Sequence, residues 1–239
     1  MFSPFESPAA GCSPKLPDLV VFDLIGVLIP DRPRVVACLA AALSDADLSV
    51  TATELHEWAC LPIRSSIARW VTRQTRVSPQ VAQPLIRAIV MDFNERLLDS
   101  LRPGGRPITV APGASTLLSE LSAEGIHIGV DSELDGDVAS AWIRAAGWSG
   151  CGWVDAVVGA DEVLTPRPGP GQIEEIRRRC GVESGGRIVK VVGTPVDAQS
   201  ATKAGCDRVV SLIPGIVPEE CQVSDLGELA ERLLERVLV

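Results

Sequence analysis

From Ile108 onward the sequence alternates between short apolar runs and amphipathic stretches of helical length, and this alternation restricts the fold more than any other feature. It predicts strands over 126–130, 154–158, 187–192 and 207–212, with helices over 113–124, 136–146, 170–180, 196–204 and 225–238. Strands joined through helices pair in parallel, and the helices cover both faces of the sheet. The expected fold class is therefore α/β, a Rossmann-like doubly wound parallel sheet.

One strand stands apart from this series. In VVFDLIGVLIPD, residues 20–31, three apolar residues lead to Asp23, and Gly26 then permits a tight turn. Between this strand and its sheet partners lies a purely helical pattern over 33–46, 52–60, 64–75 and 79–101, closed by Pro103, Gly104, Gly105 and Pro107. A helical block between two parts of one sheet reads as an inserted all-helical cap. The expected organisation is a disordered tail over 1–17, an α/β core over 18–32 and 104–239, and a cap over 33–103.

With 239 residues, 46% of them hydrophobic, the chain can bury a sizeable core. A net charge of −9 argues against a nucleic-acid partner, because the brief RRR at 177–179 falls within a predicted helix. No apolar run reaches the roughly 20 residues of a membrane helix, and MFSPFESPAAGCSPKLP lacks the regions of a signal peptide, so a cytoplasmic location without a membrane partner is expected. The seven cysteines are scattered singly and read as free thiols. The two histidines form no spaced cluster, so a zinc site is not expected; His127, inside an apolar strand, reads as structural.

The ends of the predicted strands carry the polar residues of interest. They are Asp23 to Val27; Asp131, Ser132 and Glu133; Asp161, Glu162 and Arg167; and Gly193, Thr194 and Asp197. Any one of these loops could be ordinary turn chemistry. Together they line the edge where open α/β sheets bind ligands.

The order of these segments resembles the haloacid dehalogenase superfamily, and within it the phosphonoacetaldehyde hydrolase-like group with a helical cap. The resemblance covers nearly everything after residue 17, including ACLPIRSSIARW, AAGWSGCGWVDAVVGADEV, TPRPGPG and VGTPVDAQSATKAGCDRVV. It implies that Asp23 attacks a phosphoryl group, that Ser132 binds a phosphoryl oxygen, and that Arg167 steadies nucleophile and phosphate. It also implies a Mg²⁺ cofactor held by Asp23, the Ile25 carbonyl and Asp197, with Arg64 and Glu133 as substrate-binding residues. The implied partner is a small anionic metabolite and, at most, a second copy of the chain.

Three departures from the family pattern qualify this. Ile25 and Val27 replace the general acid–base aspartate and the threonine of the first motif. Ile63 stands where phosphonoacetaldehyde hydrolase has its imine-forming cap lysine. Gly193 replaces the aspartate that directly ligates Mg²⁺, which weakens the metal site. The expected function is hydrolysis of a small phosphorylated or phosphonate metabolite through Asp23. The alternatives are a metal-independent dehalogenase-like enzyme and a non-catalytic descendant that binds a metabolite or a protein.

Overall fold

A computed structural model describes residues 16–58, 60–102, 104–183 and 185–234. The expectation of a tail lies mostly outside these residues, as does the far end of the last predicted helix. Five strands form one parallel sheet: β1 (Leu19–Asp23), β2 (His127–Asp131), β3 (Ala156–Val158), β4 (Ile188–Val192) and β5 (Arg208–Ser211), in the order β3-β2-β1-β4-β5. β1 is central because strands added later in the chain pair on both of its sides. Such a reversal of strand order opens a crevice at the carboxyl ends of the strands.

Every residue of β1 is buried, and alternate residues face opposite layers. Val20 and Phe22 join a core with α5 (Ala114–Ala123), α6 (Gly136–Ala145) and α9 (Leu226–Leu234), through Leu118, Trp142 and Leu229. Leu19 and Val21 join a second core with α7 (Gly171–Arg179) and α8 (Pro195–Lys203), through Ile173, Ile176 and Ala201. The sheet is thus doubly wound, as the alternation predicts. The second strand runs one residue further than expected, which puts Asp131 inside β2 and in register with Asp23.

Between β1 and β2 the chain is helical, with α1 (Arg32–Asp45), α2 (Ala52–Trp58), α3 (Ile63–Thr75) and α4 (Pro79–Ser100). Arg34 ties the two crossings of this block together. Its guanidinium pairs with Asp31 at 2.8 Å and donates to the carbonyls of Ser100, Arg106 and Pro107 at 3.0, 2.8 and 3.0 Å. The block also touches the sheet edge: Ile63 N–H donates to the Glu133 carbonyl at 3.2 Å, and Asn94 donates to Asp135 at 2.6 Å. Among the described residues, no helix is long and apolar enough to cross a membrane.

Candidate active site

The carboxyl ends of β1, β2 and β4 and the loop after β3 bring their charged side chains into one buried cluster. Asp23 ends β1 and Asp131 ends β2; Ser132 and Glu133 follow it; Arg167 reaches in from the loop before α7; Asp197 lies in the first turn of α8. Arg167 is the hub. Its Nη1 donates to Asp23 Oδ1 at 2.9 Å, its Nη2 donates to Asp131 Oδ1 at 2.5 Å, and its Nε lies 3.4 Å from Asp197 Oδ1. Gln172 holds this loop in place, accepting the Arg167 backbone N–H at 3.3 Å and donating to the Ser132 carbonyl at 2.7 Å. Ser132 Oγ donates to Glu133 Oε2 at 3.4 Å, and that oxygen lies 3.9 Å from Arg167 Nη1.

Sequence reasoning assigned no role to two of the cations here. Lys190, the middle residue of β4, is fully buried and donates to Asp131 Oδ1 at 2.7 Å, with Asp197 Oδ1 3.1 Å away. Its signal was present in the sequence: a lysine inside IVKVV, a strand buried on both faces, requires an anion beside it. Arg32, the first residue of α1, donates through Nη1 to Glu133 Oε1 at 3.0 Å and through Nη2 to the Ile25 carbonyl, and Nη2 lies 3.9 Å from Asp23 Oδ2. Four carboxylates (Asp23, Asp131, Glu133, Asp197) thus face three cations (Arg32, Arg167, Lys190), a net charge of −1 with every group ionised.

The distances decide how that charge is shared. Burial opposes ionisation of Asp131, but Arg167 and Lys190 outweigh it and hold its carboxyl below the usual range. Both cations are farther from Asp197, and burial pushes its carboxyl up to about 7. Burial also raises Asp23, against the pull of Arg167. For Asp197 the folded pKa lies above the unfolded one, so its contribution to stability is complete below pH 3.8 and is lost as pH rises through about 7. Asp197→Asn cannot titrate. Across chemical denaturation curves from acid to mildly alkaline pH, wild-type stability relative to this variant should therefore fall as pH rises; parallel curves would contradict the assignment.

The remaining sequence candidates lie at the periphery of this cluster. Arg64 makes a two-pronged pair with Asp135, at 2.7 and 2.6 Å, with its side chain half exposed. Asp161 accepts the Gly136 N–H at 2.8 Å, while Glu162 accepts the Gly159 N–H at 2.7 Å and pairs with Arg179. These two acids serve turns. At the opposite edge of the sheet, His127, Asp155 and Cys180 bring one ligand atom each within 4.8 Å of one another. Sequence spacing hid that group because its members open β2, precede β3 and follow α7.

A profile of haloacid dehalogenase-like hydrolases matches residues 20–211, from β1 through β5. The chain belongs to this family. Among curated relatives, a phosphoglycolate phosphatase of Rhodospirillum rubrum is 25% identical over 201 residues, covering 82% of this chain and 79% of the relative. Among solved structures, CbbY from Rhodobacter sphaeroides in complex with phosphate superposes with a TM-score of 0.73 at 19% identity, covering 90% of this chain and 96% of that one. A hydrolase from Pseudomonas syringae gives 0.69 at 18% identity, with 93% and 100% covered. These structures share the fold.

Phosphatases of the family typically use Mg²⁺, and the residues present here do not fit it. Mg²⁺ requires near-octahedral oxygen ligation, usually with one or two carboxylates. Of the candidate ligands, the Ile25 carbonyl is taken by Arg32, and Asp197 faces Lys190 and Arg167. Position 193 offers no side-chain oxygen, and a Cβ there would lie 2.5 Å from Asp23 Oδ2 and 3.3 Å from Val27. The backbone at Gly193 is not left-handed. It is Asp23 itself that fills the space an aspartate would need.

Proposed function

We propose that this protein is a hydrolase that transfers the phosphoryl group of a small anionic metabolite to Asp23. The observation that carries the reading is the direct contact of Arg167 with Asp23 at the end of the central strand, with Ser132 on the neighbouring strand end. A carboxylate oxygen of Asp23 attacks phosphorus, the bond to the leaving group breaks, and the leaving group departs with the electron pair. Arg167 offsets the negative charge that gathers on the phosphoryl oxygens, and Ser132 donates a hydrogen bond to one of them. Water then cleaves the aspartyl phosphate, releasing orthophosphate and restoring Asp23.

Ile25 cannot protonate a leaving group, so the reading favours substrates whose leaving group departs without a proton, such as acyl or enol phosphates. Ile63, buried at the position of the imine-forming lysine, makes phosphonoacetaldehyde itself a poor candidate. Kinship with the phosphonoacetaldehyde hydrolase-like group, which ACLPIRSSIARW, AAGWSGCGWVDAVVGADEV, TPRPGPG and VGTPVDAQSATKAGCDRVV resemble, belongs to the same reading. Asp23 and Ser132 are fully buried. Substrate access therefore requires the helical block α1–α4 to swing off the edge as a cap, with the Arg64–Asp135 pair as one latch.

The test is a panel of acyl phosphates, phosphomonoesters, phosphonates and 2-haloacids, with phosphate and halide release both followed. Orthophosphate release from at least one phosphorylated compound is expected. Halide release alone would move the assignment to a dehalogenase, and inertness towards the whole panel would reject it.

A further inference from the structure

We propose that Arg32 is the resident cation of this site, standing where the family's divalent metal would sit, and that the site binds a phosphoryl group without metal. The inference takes from the preceding reading only that the ligand is a phosphoryl oxyanion.

Three observations converge on it. First, Arg32 Nη2 engages two of the groups a metal would claim: it donates to the Ile25 carbonyl and lies 3.9 Å from Asp23 Oδ2. Second, position 193, where the family's competing carboxylate would stand, is glycine, and the volume a side chain would fill there is taken by Asp23 Oδ2 and Val27. Third, the turn is shaped around the guanidinium. Gly26 adopts φ +109°, a conformation that favours glycine, and a Cβ there would lie 3.1 Å from Arg32 Nη2. Glu133 completes the seat by accepting from Nη1 at 3.0 Å, which fixes the plane of the fork.

The charges agree with this placement. A Mg²⁺ ion added here would sit among Arg32, Arg167 and Lys190, whose charges already nearly balance the four carboxylates. An arginine carries one charge fewer than Mg²⁺, but its guanidinium is less strongly hydrated than the dication and is held in place by the Ile25 carbonyl and Glu133. Because Arg32 opens that helix, the cation belongs to the helical block rather than to the sheet. Displacement of the block would carry the charge with it, so the site would hold all three cations only when closed.

Calorimetry on the full chain tests this without turnover. Wild-type protein titrated with Mg²⁺ should show no saturable binding at millimolar concentration, whereas orthophosphate should bind equally well with and without a chelator. Arg32→Ala should weaken orthophosphate binding at least about tenfold, the scale of one hydrogen bond to a charged group, and Arg32→Lys should recover part of that loss. Saturable Mg²⁺ binding by the wild type, orthophosphate binding that depends on Mg²⁺, or no orthophosphate binding under either condition would each overturn the inference. The wild-type measurements do not depend on how well the variants fold. Metal-free orthophosphate binding in a protein that hydrolyses nothing in the panel would reject the hydrolase reading and leave this one standing.

Discussion

Asp23→Asn is expected to lower turnover of any phosphorylated substrate by at least about 10³-fold, the order seen when a covalent nucleophile is removed. Asparagine has nearly the same shape as aspartate, and Asp23 lies among buried neighbours that already include three other carboxylates. Removing its charge should therefore leave the fold intact. Arg167 keeps Asp131 and Asp197 as partners, so its guanidinium is not stranded. Steady-state kinetics and thermal denaturation, run side by side, check both halves. Undiminished turnover by the variant would remove Asp23 from the mechanism, while a collapsed melting transition would mean that its charge is structural.

The largest effect on stability is expected from Lys190→Met. Its ammonium is fully buried in the central part of the sheet and is shared between Asp131 and Asp197. Without it the four buried carboxylates face only Arg167 and Arg32, and breaking a buried ion pair costs about 3 to 5 kcal/mol. For a chain of this size that corresponds to a fall of roughly 6 to 20 °C in Tm. The double variant Lys190→Met, Asp131→Asn should recover much of the loss, because it removes one carboxylate together with the cation and restores the charge balance of the cluster. If the single variant melts within a degree or two of the wild type, the charge on Lys190 is not what holds the ends of β2 and β4 together. The same pair of variants separates stability from chemistry, since Lys190 contacts Asp131 and Asp197 and not Asp23 within the ion-pair distances seen here.

These two expectations differ in how far the sequence could carry them. Asp23 was legible because its role depends on local order: an apolar strand, a carboxylate, then a turn. Such a segment reads the same wherever its neighbours lie. Ser132, Arg167 and Asp197 were picked out by the family resemblance, which places them in the loops and the first helical turn that follow β2, β3 and β4. The need of Lys190 for an anion was readable in IVKVV, but its partner was hidden because it lies across the sheet. That partner can be named only when Asp131 is known to lie beside β1 and in register with Asp23.

The sequence by itself determined the α/β alternation, the helical block set between β1 and β2, and the residues delivered to the carboxyl edge. It could do so because strand and helix periodicities are local properties, and a parallel sheet places the ends of all its strands at one edge. The resemblance to the haloacid dehalogenases further marked position 193, where glycine stands in place of the family's aspartate. Only the tertiary structure showed that Asp23 and Val27 occupy the space beside that position and that Arg32 lies against the Ile25 carbonyl. Arg32 lies 9 residues after Asp23, in the first turn of a helix whose direction is set by packing over the sheet edge, and no spacing rule aims its guanidinium at the Ile25 carbonyl. The balance of four carboxylates against three cations is likewise a property of distances in a water-poor interior, where Arg167 and Lys190 both approach Asp131 more closely than Asp197.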